Sequence, residues 1–231
     1  MSADIQGLTE REQMSFDIFG FVVLRDFYND RVAEVSAAFD KVFAESNDHF
    51  VMDGSVDAHT ATDPATPDMA RQVLGDFVGR DPVLADLAAD ERLHAILEQV
   101  LGSGYSFIGS DGNLMSCDLS WHIDSPAHQP QKYVKVFYYL DPLTESTGAL
   151  RMLPGSSNGD DAYSMELRKA LVGPILRGGE PVLDLEDIPY FVAETQPGDV
   201  IVSRFETIHS SFGGKPGRRL FTLNYAQPKS A

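Results

Sequence analysis

Two residues that commonly bind metals lie two positions apart in the stretch LSWHIDSPAH, residues 119–128. They are His122 and Asp124, and a strand-like run precedes them. Side chains two residues apart on a β-strand point to the same face, so an imidazole and a carboxylate here can reach one ion. The alternative is that they are simply two polar residues at a strand end. A His-x-Asp triplet alone is a weak signal, and two ligands hold a metal poorly, so a metal site requires a third ligand elsewhere.

The best candidate for a third ligand is His209, in QPGDVIVSRFETIHSS. It follows a strand-like run that Pro-Gly-Asp introduces, and it is the only histidine after His128. Two histidines and one carboxylate form the facial triad of non-haem Fe(II) oxygenases, which leaves three coordination positions for a cosubstrate and O2. The sequence therefore predicts an iron site made by His122, Asp124 and His209.

A paired arginine in GGKPGRRLFTLNYA offers a cation for a cosubstrate such as 2-oxoglutarate. This keto acid would chelate the iron at one end, and its far carboxylate would need a buried cation, for which the planar guanidinium of arginine is well suited. Arg218 and Arg219 alternate in face on the predicted strand. Arg218 shares its face with Thr222 and Asn224, so it is the favoured clamp, while Arg219 remains open. The alternative is that both are surface charges on an edge strand.

Other polar residues have a less specific pattern. His128 lies in a Pro-flanked loop. It could contact a substrate, but a histidine in such a loop is more often simply exposed, and that is the expectation here. Lys135, in KYVKVFYYL, alternates with aromatic residues and faces either the barrel interior or solvent. Trp121 points away from His122 and is expected in the core.

The first half of the chain is expected to be mostly helical. Thr9 and Glu12 have the spacing of a capping box, which predicts a helix over 10–18. A β-branched and aromatic run predicts a strand over 21–27, and Asn29 is a good N-cap for the next helix. Apolar spacing in 81–102 predicts one or two more helices.

A polar segment, residues 47–72, separates these helices and is rich in turn-forming residues. Segments of this length without regular structure are often lids over a site, and a lid is the prediction here. Its two histidines, His49 and His59, are expected to be exposed rather than metal ligands.

The second half is expected to consist of short strands separated by Gly/Pro turns, with one helix at about 161–171. The predicted strands are 104–109, 113–119, 120–124, 132–140, 148–153, 190–194, 199–205 and 218–226. Many short strands with such turns favour a sandwich, barrel or jelly roll. A single domain over 1–231 is therefore expected, with a helical N-terminal half (1–103) and a β core (104–231).

Composition limits the classes of partner. The net charge of −17 argues against nucleic acid and anionic membranes as partners. The single cysteine, Cys117, excludes an internal disulfide and fits a reducing compartment, so a cytoplasmic protein is expected. No signal peptide or apolar run of membrane-spanning length is evident.

Five segments together resemble the phytanoyl-CoA dioxygenase family of Fe(II)/2-oxoglutarate oxygenases, and the resemblance covers nearly the whole chain. In chain order they are LTEREQMSFDIFGFVVLRDFYNDRVAEV, WHID, YYLDPLTESTGALRMLPGSS, QPGDVIVSRFETIHSS and GRRLFTLNYA. Five segments in the family's order are far more specific than any one of them. One departure is Ser157, which stands where the family usually has a histidine after Pro-Gly-Ser.

The resemblance implies a mainly β fold with flanking helices, the cupin-like double-stranded β-helix or jelly roll. It implies Fe(II), O2 and 2-oxoglutarate, which is converted to succinate and CO2, with ascorbate as a candidate reductant. It carries His122, Asp124 and His209 over as iron ligands and Arg218 as the carboxylate clamp. Phe137 is a further candidate for the cosubstrate pocket, and Thr147 and Ser211 are weaker candidates for its wall.

The implied reaction is hydroxylation of an unactivated C–H bond of a small molecule by a monomer or homodimer. Halogenases related to the family lack the carboxylate ligand, so Asp124 disfavours chlorination. Demethylation, desaturation, ring formation and epoxidation on the same iron centre remain open alternatives. A cupin-like metalloprotein without oxygenase activity is a further alternative, but it gives no purpose to Arg218.

Overall fold

The computed structural model describes most of the residues of the chain. They are 6–48, 50–52, 71–115, 118–124, 131–159, 161–176, 179, 182–183 and 187–228. Most of the predicted lid over 47–72 lies outside them, as do His49, His59, Cys117 and His128. Across the described ranges, none of the helices has the length and apolar character needed to cross a membrane.

The first helix forms where the capping box predicts it. Helix α1 spans Glu10–Phe19, and the Thr9 side chain accepts a hydrogen bond from the Glu12 backbone while the Glu12 side chain accepts one from the Thr9 backbone. Gly20, with φ of +86°, ends the helix in the left-handed conformation that glycine adopts without strain. These two signals are local, which is why the sequence alone predicts the helix well.

Three more helices follow in the N-terminal half: α2 (Val32–Glu45), α3 (Pro82–Ala88) and α4 (Glu91–Leu101). Asn29 as the N-cap of α2 is wrong, because Asn29–Arg31 forms a turn of 3₁₀ helix and α2 begins only at Val32. The predicted helix near 161–171 is found as α5 (Ala162–Leu167), a π-helical turn over Arg168–Val172, and α6 (Gly173–Leu176).

Eleven described strands form two antiparallel sheets, of seven and four strands. The large sheet has the order β1 (Phe21–Leu24), β9 (Val200–Arg204), β6 (Tyr133–Tyr139), β11 (Arg218–Ala226), β4 (Ser106–Met115), β3 (Arg71–Gly75), β2 (Phe50–Met52). The small sheet has the order β5 (Leu119–His122), β10 (His209–Ser211), β7 (Leu150–Met152), β8 (Phe191–Ala193). Two antiparallel sheets with flanking helices make the jelly roll that the sequence predicts.

Two features of the large sheet differ from the prediction. The two strands expected at 104–109 and 113–119 are one continuous strand, β4, because the supposed turn at Ser110–Gly112 stays paired with β11. Gly109, with φ of +147°, instead accommodates the register shift opposite Asn224. In addition, β3 comes from the half expected to be helical and pairs with β4.

Both faces of the large sheet are buried, and the two faces have different roles. Val136 and Tyr138 of β6 face the N-terminal helices and belong to the larger core cluster. The alternate residues Phe137 and Tyr139 face the small sheet and belong to a second cluster. Trp121 lies 2% exposed in a third cluster beneath the π-helical turn, as the sequence predicts. The space between the two sheets is where the candidate site lies.

Candidate active site

The pairing of β5 with β10 places the two candidate histidine ligands side by side. His122 and His209 are direct partners across the two antiparallel strands, and their ring centroids are 4.3 Å apart. Nδ1 of His122 donates to the Ser120 carbonyl at 2.7 Å, and Nδ1 of His209 donates to the Thr207 carbonyl at 2.8 Å. Because a carbonyl can only accept, each ring donates its Nδ1–H, which leaves Nε2 as the nitrogen that can bind an ion.

Asp124 follows the end of β5 and completes the group. Its backbone N–H donates to the Phe205 carbonyl at 2.9 Å, which fixes the chain after the strand. Its Oδ2 lies 3.6 Å from His209 Nε2, and its Oδ1 accepts a hydrogen bond from Lys135 Nζ. His122, Asp124 and His209 each offer one donor atom within 4.8 Å of the others.

The electrostatics of the group suit metal binding. Burial raises the pKa of the Asp124 carboxyl, but the charge of Lys135 and the two neighbouring histidines outweigh burial and bring the pKa to about 2. Burial lowers the pKa of His209, with a further lowering from His122, so it falls to about 4 despite Asp124. At neutral pH the carboxylate is therefore ionised and this imidazole is neutral, which are the forms that coordinate metals.

The donor set fits a divalent first-row metal ion. Two imidazole nitrogens and one carboxylate oxygen are the ligands of the facial triad. Bonds of about 2.0–2.2 Å place neighbouring ligands of an octahedral ion roughly 3 Å apart, close to the 3.6 Å between Asp124 Oδ2 and His209 Nε2. The three residues converge from a strand, its end and a second strand, so the ligand positions are set by the sheet.

A small cavity of about 90 Å³ opens beside this group, between the two sheets. Its walls combine apolar side chains with charged ones. The lining residues are Arg71, Asp111, Asn113, Met115, Leu119, His122, Asp124, Lys135, Phe137, Tyr139, Leu150, His209, Ser211, Arg218, Leu220 and Thr222. The Phe137 ring stands edge-on to the His209 ring, with 5.9 Å between their centroids.

Arg218 enters the cavity from the first position of β11 and is 6% exposed. Its Nη1 donates to the Gly148 carbonyl at 2.9 Å and to Ser211 Oγ at 2.8 Å. A Cβ at Gly148 would lie 2.1 Å from Nη1, and one at Gly214 would lie 2.1 Å from Cζ. Two glycines and a serine thus hold the guanidinium in one orientation in the wall, which fits a receptor for a dicarboxylate such as 2-oxoglutarate.

The neighbouring arginine has different surroundings. Arg219 points to the opposite face of β11, where its guanidinium pairs with Asp40 at 3.0 Å and with Asp141 at 2.8 Å. Thr147 is also outside the group, because its hydroxyl bonds to Thr144 within a 3₁₀ turn and it does not line the cavity.

Ser157, which replaces the family's usual histidine, is buried behind the site. A Cβ added at Gly20 would meet Ser157 Oγ at 2.2 Å and Thr207 Oγ1 at 2.7 Å. The small side chain at 157 therefore packs closely against the end of α1 and the turn before β10.

Four cavity residues with polar side-chain groups did not emerge from the sequence: Arg71, Asp111, Asn113 and Tyr139. Asp111 and Asn113 lie two residues apart on β4 and therefore share a face, and Asp111 accepts a hydrogen bond from Thr222 Oγ1 at 2.7 Å. This spacing is visible in the sequence, but a turn was expected at 110–112, so the two residues were not assigned to one strand.

Several solved structures share this fold with low sequence identity. HygX from Streptomyces hygroscopicus, determined with nickel and 2-oxoglutarate bound, has a TM-score of 0.69 and 19% identity over 96% of this chain and 88% of its own. EctD from S. alaskensis has a TM-score of 0.68 and 24% identity over 95% of this chain and 77% of its own. SnoN, a 2-oxoglutarate-dependent epimerase of nogalamycin biosynthesis, has a TM-score of 0.71 and 18% identity over 94% of this chain and 82% of its own.

The sequence itself matches one family over most of its length. No curated protein sequence matches the chain significantly. The phytanoyl-CoA dioxygenase family, however, matches it from residue 16 to residue 219, which spans the triad and Arg218. With the jelly roll and the His-Asp-His group in place, the chain belongs to the phytanoyl-CoA dioxygenase family of non-haem Fe(II)- and 2-oxoglutarate-dependent oxygenases.

Proposed function

We propose that the protein hydroxylates an unactivated C–H bond of a small molecule and converts 2-oxoglutarate and O2 to succinate and CO2. The observation that carries this proposal is the convergence of the His122, Asp124 and His209 donor atoms beside a cavity that also contains a buried arginine.

In this proposal His122, Asp124 and His209 hold Fe(II). The two imidazoles present Nε2, because their Nδ1–H groups are fixed to backbone carbonyls. Asp124 supplies the negative charge that the ion requires and is already ionised at neutral pH. When bound, the iron would activate O2, which no side chain can do, and the protein supplies binding and orientation.

Arg218 is proposed to bind the distal carboxylate of 2-oxoglutarate. Its orientation is fixed before the cosubstrate arrives, by Ser211 and the Gly148 carbonyl, so little freedom is lost on binding. Phe137 is proposed to pack against the carbon chain of the keto acid, beside the His209 ring. Together with Leu150 and Leu220, Phe137 makes an apolar wall that excludes water around the reacting atoms.

The proposed substrate is a small molecule, because the cavity beside the proposed iron ligands is only about 90 Å³. The net charge of −17 disfavours polyanionic partners. We further propose that the enzyme works in the reducing cytoplasm, because the chain has a single cysteine.

A second outcome on the same centre is epimerisation or ring closure. The fold of this chain is similar to that of SnoN, an epimerase, and of SnoK, a carbocyclase, both described as dependent on 2-oxoglutarate. EctD, solved with 2-oxoglutarate and 5-hydroxyectoine, is the neighbour that favours hydroxylation. Which hydrogen of the substrate faces the iron decides between these outcomes.

The proposal is tested by succinate release over a panel of small molecules with Fe(II), 2-oxoglutarate and ascorbate, followed by product mass. Hydroxylation adds one oxygen atom from O2, whereas ring closure and desaturation remove two hydrogens and epimerisation leaves the mass unchanged. Arg218→Ala is expected to raise the KM for 2-oxoglutarate, and Arg219→Ala, on the outer face, is the matched control. Succinate formation that Arg218→Ala leaves unaltered would refute the proposed clamp.

A further inference from the structure

We propose that Lys135 is a positioning residue that makes Asp124 bind iron through one oxygen only. This inference rests on the proposed function, and it concerns the number of coordination positions left for 2-oxoglutarate and O2. Its basis is the arrangement of the two Asp124 oxygens, which face different partners.

The two carboxylate oxygens of Asp124 are divided between the ligand group and Lys135. Oδ2 faces the ligand group, 3.6 Å from His209 Nε2. Oδ1 accepts a hydrogen bond from Lys135 Nζ. A charge-assisted hydrogen bond of this kind is directional, so it opposes rotation of the carboxylate that would bring Oδ1 to the metal.

The ammonium group is itself held in place. Lys135 lies on β6, on the same face as Phe137, and both residues line the cavity. Its Nζ is 5.6 Å from the Phe137 ring centroid and 5.4 Å from that of Phe205. Two aromatic rings therefore add cation–π attraction to the contact with Asp124 and restrict where the ammonium can move.

This ion pair differs from the other lysine pairs of the described structure. The Lys135 and Asp124 side chains are 15% and 13% exposed, whereas those of Lys169 and Glu166 are 67% and 70% exposed. Lys41 pairs with a buried aspartate but is itself 55% exposed. Burying an ion pair costs the desolvation of both charges, so a buried pair is weak evidence for a contribution to stability. Its position beside the ligand group therefore points to a role in that group.

Coordination numbers give this geometry a consequence. Three protein donors leave three of the six positions of an octahedral ion, and a chelating keto acid with O2 needs all three. A bidentate Asp124 would contribute a fourth protein donor and compete for one of these positions. Lys135 engages the second oxygen and thereby keeps that position open.

The test compares Lys135→Met, which keeps the length of the side chain without its charge, with Lys135→Arg, which can still donate. Lys132→Met is the matched control, because Lys132 is exposed just before the same strand. Each protein is loaded anaerobically, and three quantities are measured: Fe(II) per chain, 2-oxoglutarate affinity from the visible band of the chelate, and binding of nitric oxide, an O2 surrogate, by electron paramagnetic resonance. Thermal unfolding checks that each variant is folded.

Lys135→Met is expected to bind Fe(II) as the unaltered protein does, but its 2-oxoglutarate affinity or its nitric oxide signal should fall by about tenfold or more. Lys135→Arg should recover most of the loss, and Lys132→Met should lose nothing. If Lys135→Met leaves the chelate band and the nitric oxide signal unaltered, this inference is overturned while the proposed function stands. The same holds if the Lys135→Met protein is folded but no longer binds Fe(II). If the unaltered protein binds Fe(II) but forms no chelate, the proposed function fails and this inference with it.

Discussion

Replacing Gly148 by alanine should weaken 2-oxoglutarate binding without touching the iron ligands. Gly148 contacts Arg218 with its backbone, and a Cβ there would lie 2.1 Å from Nη1 and 2.7 Å from Cζ of that arginine. To restore an ordinary contact of about 3.5 Å, the guanidinium must retreat by roughly 1 Å or more. Such a shift breaks its hydrogen bond to Ser211 or to the Gly148 carbonyl.

The size of the effect follows from the contacts that the cosubstrate would lose. A hydrogen bond to a charged group contributes about 1.5–3 kcal/mol. At about 1.4 kcal/mol for each factor of ten, losing one such bond to the distal carboxylate lowers the affinity for 2-oxoglutarate by roughly 10- to 150-fold. Separately, alanine at the φ of +94° found at Gly148 costs about 1–2 kcal/mol of folding free energy, before any clash is counted.

The two contributions can be separated with a control. Gly102 has a similar φ of +82°, but a Cβ there would meet nothing within 4 Å, and it lies at the end of α4. Gly102→Ala should lower the Tm by at least as much, because the ψ of 164° at Gly102 lies in a region that essentially only glycine adopts, while its affinity for 2-oxoglutarate stays unchanged. Isothermal titration of 2-oxoglutarate into metal-loaded protein measures the affinity. Equal affinities for Gly148→Ala and Gly102→Ala would refute the assignment of Arg218 as the clamp.

Three further substitutions test the same assignments. Ser211→Ala removes the hydroxyl that accepts a hydrogen bond from Arg218 Nη1. The Kd for 2-oxoglutarate should therefore rise by roughly 2- to 10-fold while Fe(II) binding is kept. An unchanged Kd in the same titration would contradict the role of this serine. Thr147→Ala should lower stability by no more than about 1 kcal/mol through the lost contact with Thr144, and a raised 2-oxoglutarate Kd would show that this threonine does bind the cosubstrate. Asp124→Ala should lose Fe(II), measured as metal per chain after desalting, and should abolish succinate release; substantial retained turnover would rule out the triad.

The parts of the fold that local sequence encodes were predictable. The capping box at Thr9 and Glu12 gives α1 nearly to the residue, because both hydrogen bonds lie within one turn. The predicted strand over 218–226 coincides with β11, because the turn residues before it and the alternation within it both indicate a strand that begins there. The face alternation of the paired arginines was also predictable, and the structure places Arg218 inside and Arg219 outside.

The rest depends on contacts between distant parts of the chain. The sequence around Gly109 resembles a turn, and only pairing with β11 keeps β4 continuous there. The alternation on β6 places Lys135 and Phe137 on one face of the strand. It does not show which face lines the space between the two sheets, because the other face packs against the N-terminal helices and both faces are therefore apolar. The contact between Lys135 and Asp124 forms only when the two sheets pack together, so no local sequence pattern predicts it.

The most direct test of the account is an anaerobic titration of Fe(II) and then 2-oxoglutarate into metal-free protein, following the weak visible charge-transfer band of the chelate. A 2-oxoglutarate-dependent iron site made by these residues should give a band at one equivalent of each, absent in His122→Ala and weakened in Arg218→Ala at the same 2-oxoglutarate concentration. Iron that binds tightly and gives no band with 2-oxoglutarate would contradict the account, because the triad would then serve a different cosubstrate or none.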